Sequence, residues 1–133
     1  MLCQAVSQEG NRRASWVQAE ANRLPFPDHA FDSAICANSF HYFRAPMKAL
    51  TEIHRVLHEH GWFVLEDWCD DYLTCKLCSL WLQLTDPAFC RAYTMSTCRS
   101  LLENAGFTFV QAERFRVGWL WGMMRFVCRR NTG

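Results

Sequence analysis

The sequence predicts an α/β fold, and three stretches carry that expectation. Leu24-Pro25-Phe26-Pro27-Asp28 cannot be helix interior, because proline fixes φ, lacks an N–H and pushes the preceding residue out of the α region. The mostly apolar run Phe31–Ala37 behind it has the character of a buried parallel strand. Leu50, Ile53, Val56 and Leu57 then form one apolar helical stripe, followed by Gly61 and the strand-like run Trp62–Asp67.

The remaining elements follow in order. Met1–Gln8 reads as the tail of a helix stopped at Gly10-Asn11. Ala14–Ala19 reads as a short strand, with Glu20-Ala21 at its end. Asp32 lies on an apolar strand and is expected to cap nearby backbone N–H groups. Asn38-Ser39-Phe40-His41-Tyr42-Phe43 places hydrogen-bonding groups and rings at the carboxyl end of a strand, the edge where open α/β sheets bind ligands. Pro46 opens a helix expected to run through Glu59 and to stop at Gly61.

On that helix Glu52 and Arg55 are spaced to pair with each other or to anchor neighbouring loops. His54, His58 and His60 resemble a metal cluster at first sight. No acidic or cysteine partner completes the set, so they are expected to be surface histidines. Trp62–Asp67 ends at Asp67-Trp68, again at the carboxyl edge, which makes both candidate pocket residues.

Asp70-Asp71 should open a helix, with the acids at its positive end. Leu73, Leu77, Leu80, Trp81 and Leu84 keep helical spacing to about Thr85, and plain core packing is expected for Trp81. Asp86-Pro87 breaks that helix. Ser96 is the expected cap of Thr97–Ala105, which Gly106 ends. Phe107–Phe115 and Trp119–Cys128 read as the last two strands.

The 133 residues suit a single domain. Half are hydrophobic and 20% are charged, which argues against disorder. The net charge of +1 suggests neither nucleic acid nor an anionic membrane as partner, and no basic stripe with interleaved aromatics occurs. No apolar run reaches the roughly 20 residues of a membrane span. The start has no signal-peptide layout, which points to the cytoplasm. Of the 8 cysteines only Cys75 and Cys78 are closely spaced, and nothing answers them at zinc-site distance; reduced thiols and no metal are expected.

LPFPDHAFDSAICANSFHYF, followed by ALTEIHRVL and GWFVL, resembles the class I S-adenosylmethionine-dependent methyltransferases, in particular the small-molecule branch of ubiquinone and menaquinone biosynthesis. The resemblance runs from about Met1 to Gly106 and weakens after Asp67. It implies a Rossmann-like sheet with a final antiparallel strand, in strand order 3-2-1-4-5-7-6. Ala14–Ala19 would be the third strand. The family's glycine-rich cofactor loop and second-strand acid would precede Met1, and no Gly-x-Gly occurs among the 6 glycines. Residues 1–133 therefore read as one partial domain, truncated in its N-terminal half.

The resemblance also implies site roles. Glu20 and Ala21 would meet the adenine of S-adenosylmethionine, with Glu20 standing where Asp is usual; a solvated strand-end glutamate is the alternative. Asn38, Ser39 and Phe40 would lie at the cofactor's methionine end. His41 would be a general base, or else would only hydrogen-bond a loop carbonyl. His41, Asp67, Trp68, Tyr93 and Trp119 would surround a small-molecule or lipid-like acceptor, and the segment after Asp70 would form a lid. Without the front half, Phe31–Ala37 would expose an apolar edge. The first strand could slide over to cover it, or two chains could pair as a homodimer, or a separate front-half chain could fill the gap. The competing function is a non-catalytic methyltransferase remnant that dimerises or docks to a partner.

Overall fold

The computed structural model describes residues 15–119 and 121–131; the expected N-terminal helix and Cys3 lie outside them. The elements are β1 (Phe31–Ala37), a 3-10 turn (Phe40–Tyr42), α1 (Pro46–Val56), β2 (Leu57–Trp68), α2 (Leu73–Thr85), α3 (Met95–Asn104), β3 (Phe107–Val117) and β4 (Trp121–Arg130). They build one four-stranded sheet in the order β1-β2-β4-β3. β1 and β2 are parallel, and β4 runs antiparallel to both its neighbours. This is the 4-5-7-6 half of the expected strand order, with the antiparallel last strand in place.

β2 sets the core. Its burial alternates from Gly61 onward, so Phe63, Leu65 and Asp67 share one face. The partners of these residues on β4 are Cys128, Phe126 and Met124, and all six side chains are buried. Leu50 and Ile53 of α1 and Cys98 and Leu102 of α3 complete the same cluster. The other face carries Glu66 and Arg125, paired at 2.7 Å, with Glu113 on Arg125 at 3.1 Å.

Several expectations need correction. Residues 15–19 form no strand, so nothing among the described residues slides over to cover β1. β1 is an open edge, and Ile35 on it is 74% exposed. Asp32 is exposed rather than buried in a capping role.

The helix after Pro46 stops at Val56 rather than Glu59, and Gly61 lies inside β2. The chain preceding β1 takes its last carbonyls: His29 N donates to Arg55 O and Ala30 N to Val56 O. The apolar stripe hid this exit, because Leu57 is buried whether helical or extended. His58–His60 are accommodated as an irregularity, with Phe31 opposite Leu57 and Ser33 already opposite Trp62.

His54 is not a surface histidine. Its ring meets Phe107 edge-on at 5.4 Å, and its Nε2 is buried. Asp70 and Asp71 do not sit in the first turn of α2, whose cap position is Tyr72. They brace instead: Asp70 accepts from Ser79 Oγ, and Asp71 accepts from Met95 N. Thr94, not Ser96, caps α3, taking the Thr97 N–H. Trp81 is 60% exposed, not core, and Leu73, Leu77, Leu80 and Leu84 are exposed beside it. The face α2 buries carries Cys75 and Ser79. β4 begins at Trp121, because Gly118, at φ 65°, turns the chain between β3 and β4.

The Glu52–Arg55 pair fulfils both of its expected roles. Arg55 holds Glu52 at 2.9 Å, and its guanidinium also donates to the carbonyls of Leu24 and Phe26 and to Asp28. Glu52 accepts the Leu24 N–H. The proline loop is thus fastened to α1 through polar backbone groups that its prolines leave without a ladder.

Candidate active site

β1 and β2 end side by side, and the chain after β1 turns back over the end of β2. Asn38 makes the turn in the left-handed region, at φ 47°, with its N–H on Glu66 O at 2.9 Å. Asn tolerates that conformation better than most residues. The 3-10 turn then places His41 above Asp67. His41 Nδ1 lies 2.7 Å from Asp67 Oδ1, and the His41 backbone N–H donates to Oδ2 at 2.9 Å. The Trp68 N–H donates to Oδ1 at 2.8 Å. Both side chains are buried, at 2% and 1% exposure.

A carboxylate accepts only, so the proton between the two groups belongs to Nδ1, leaving a lone pair on Nε2. Nε2 is buried and has no hydrogen-bond partner among the described residues. Aromatic rings enclose it. Trp68 stacks on the imidazole at 4.5 Å, Tyr42 lies at 4.2 Å and Phe89 at 5.8 Å. Trp121 meets Trp68 edge-on at 4.8 Å. The loop carrying Phe89 is tied to this turn, because Cys90 N and Arg91 N both donate to His41 O.

The other expected site residues divide. Tyr93 is buried beside Phe40 at 5.0 Å, its hydroxyl unpartnered among the described residues, and burial pushes its pKa up to about 12. Phe40 is fully buried in the core, so its side chain is not free to touch a cofactor. Ser39 is half-buried, 3.3 Å from Cys36 Sγ. Burial raises the Cys36 thiol to about 11.

Glu20 is exposed and pairs in a tight turn with Arg23. Glu20 and Ala21 nevertheless share an open cleft of about 470 Å³ with Tyr42, Phe43 and Arg44. Ala21 and Ser39 share a second groove of about 360 Å³ along β1, walled by Ile35, Phe43 and Phe63. The two halves of the expected cofactor site therefore converge, although they are some twenty residues apart in sequence. Trp119 does not join. It sits in the turn after β3 at 82% exposure, and Trp121 takes the place expected of it. Phe89 and Trp121 were not legible as site residues, since nothing local distinguishes them from core aromatics. Among the described residues no group of histidine, cysteine and acidic side chains could hold a metal, and the seven cysteines are free.

A parallel-edged α/β sheet with polar and aromatic groups gathered at the carboxyl ends of β1 and β2 defines a Rossmann-like ligand-binding protein. Comparison with known proteins narrows it. A methyltransferase domain model matches residues 1–65. The uncharacterized methyltransferase YcgJ of Bacillus subtilis is 30% identical over 114 residues, covering 84% of this chain and 45% of that protein. Its crystal structure superposes with a TM-score of 0.81 at 17% identity, over 98% of this chain and 77% of that one.

The methyltransferase in a complex with the Haloferax volcanii Trm112 methyltransferase activator gives a TM-score of 0.84 at 17% identity, covering 99% and 68%. The Burkholderia thailandensis 1,6-didemethyltoxoflavin-N1-methyltransferase, solved with its substrate and S-adenosylhomocysteine, gives 0.73 at 20% identity, covering 98% and 56%. The chain belongs to the class I S-adenosylmethionine-dependent methyltransferases. It spans about half the length of the curated relatives it matches.

Proposed function

We propose that the chain serves methyl transfer from S-adenosylmethionine to a small-molecule acceptor, with the reaction at the carboxyl edge of β1 and β2. The observation that carries this reading is the buried His41–Asp67 pair, with a bare Nε2 inside an aromatic enclosure at that edge. A histidine buried without a partner costs stability, and such groups cluster where chemistry is done.

The residues present fit part of the cofactor. Glu20 and Ala21 suit the adenine, the former as an acceptor for an exocyclic amine. Asn38, Ser39 and the backbone of Phe40 suit the methionine end, and the Ala21–Ser39 groove links the two. When bound, the cofactor supplies an electrophilic sulfonium methyl. The chain's residues hold the acceptor in line and take its proton at His41, a task for which positioning matters more than a strong base. Trp68, Tyr93 and Trp121 wall the acceptor side.

The sequence has no Gly-x-Gly for the carboxypropyl and ribose groups. On this reading those contacts come from a second copy or a separate front-half chain seated along the open edge of β1. The free thiols favour a cytoplasmic location.

Calorimetric titration with S-adenosylmethionine tests the proposal. Saturable binding with one site per chain, weakened by Glu20→Ala, is expected. No heat at millimolar ligand, alone or with the candidate front-half chain present, overturns it and leaves a fold kept for docking.

A further inference from the structure

The site holds more information than a base beside a pocket. Asp67 receives three N–H groups on two oxygens: His41 N, His41 Nδ1 and Trp68 N. It thereby fixes the backbone of the 3-10 turn and the ring of the same residue at once. Nε2 faces Tyr42, Trp68 and Phe89, none of which offers it a hydrogen bond.

We infer that Asp67 is the positioning residue that keeps the His41 proton on Nδ1, and that the acceptor presented to Nε2 is a planar phenol-type hydroxyl. The statement about Asp67 stands on geometry alone. The statement about the acceptor rests on the methyl-transfer reading above.

Two arguments select the acceptor. The enclosure is built of ring faces, so a flat aromatic molecule can replace Phe89 against Trp68 without losing stacking. A phenolic hydroxyl, with an ordinary pKa of about 10, is also far nearer an imidazole at about 6.5 than an aliphatic alcohol is. The step balances. The acceptor O–H proton passes to His41 Nε2, and the oxygen forms its bond to the methyl carbon. The carbon–sulfur bond of the sulfonium breaks with its electron pair staying on sulfur. His41 then carries one extra proton, which it releases to water.

Phe89, 6% exposed, closes this space, so entry requires the Asp86–Tyr93 loop to lift from the His41 carbonyl. The carbonyl's two bonds to Cys90 and Arg91 are the latch.

Nitrogen-15 NMR of the histidine rings in the whole chain tests both parts. The expected spectrum shows His41 protonated at Nδ1 and bare at Nε2; an Nε2–H ring in the wild type overturns the role of Asp67. Asp67→Asn offers one acceptor oxygen to the same three donors. In the folded variant the share of the Nε2–H form should rise roughly tenfold or more, on the scale of a lost charge-assisted bond. An unchanged tautomer there also overturns the positioning role. If that variant does not fold, the wild-type spectrum still decides.

4-Ethylphenol and its methyl ether are then titrated, with and without S-adenosylhomocysteine. The phenol should shift the Nε2 resonance, and the ether should leave it in place. Equal shifts, or none in either condition, overturn the acceptor class. Calorimetry with S-adenosylmethionine reports separately on the methyl-transfer reading.

Discussion

His54 on α1 occupies the space that a side chain at Gly106 would need. A Cβ at Gly106 would lie 3.0 Å from His54 Nε2, and Gly106 holds φ at +86°. The glycine that ends α3 is thus also the floor under a buried histidine of another helix. Gly106→Ala should destabilise the fold by about 1–2 kcal/mol for the left-handed backbone alone, with the ring contact adding to it. Urea unfolding measures this. Gly118, at φ +65° with open space around it, is the control that carries the backbone cost only.

The same burial, and then the nearby Arg130, hold the His54 pKa below its usual 6.5. The folded state therefore favours the neutral ring, and the unfolded chain takes the proton first. Stability should fall as pH drops below about 6.5. His54→Phe, which keeps a ring against Phe107, should flatten that part of the pH–stability curve.

Glu52 acts in a lower window. Arg55, and then the Leu24 N–H, hold its carboxyl at about 2, well under its ordinary 4.5. Its stabilising contribution is complete above 4.5 and is lost as pH falls through 2. Glu52→Gln should remove the slope between these values. It should also loosen the proline loop, seen as hydrogen exchange at the Leu24 amide faster by roughly tenfold.

Gly122 opens β4 against Tyr72. A Cβ there would lie 1.9 Å from the Tyr72 ring, while Cys75 Sγ bonds the glycine's own N–H and carbonyl. Gly122→Ala should cost about 1–3 kcal/mol as an overpacked contact. In a double-mutant cycle, Tyr72→Ala should recover most of that cost. Additive losses would show that the strain lies in the backbone instead.

Trp81 supplies a prediction opposite to the one its sequence context suggests. A buried tryptophan replaced by a small residue costs about 3–5 kcal/mol. At 60% exposure on α2, Trp81→Gln should change stability by less than about 0.5 kcal/mol. Thermal unfolding distinguishes the two values readily. Binding of a hydrophobic dye should fall, since Leu77, Leu80 and Leu84 share that exposed face.

These cases show where local patterns suffice. The proline loop, the stripe on α1, the turn at Asp86 and the strands from Phe107 onward follow from dihedral limits and periodicity, which act over a few residues. The carboxyl-edge location of Asn38–His41 and Asp67–Trp68 follows too, because both runs end where an apolar strand ends. Trp81 and Leu84 keep helical spacing without a surface to pack on, and spacing alone does not say whether a neighbour exists. His54 and His58 looked equivalent because both were counted on one helix. The helix ends at Val56, so only His54 turns inward.

Alone, the sequence determined the α/β class, the segment order and the family, through strand-end chemistry and the spacing of Glu52 and Arg55. The tertiary structure decided which of these groups meet. Register between β1 and β2 sets Asn38 beside Glu66 and brings His41 over Asp67, twenty-six residues away. It also folds Phe89 and Trp121 in as walls and leaves Trp119 outside. Long-range pairing is governed by strand order and chain closure, and neither is written in any local stretch of residues.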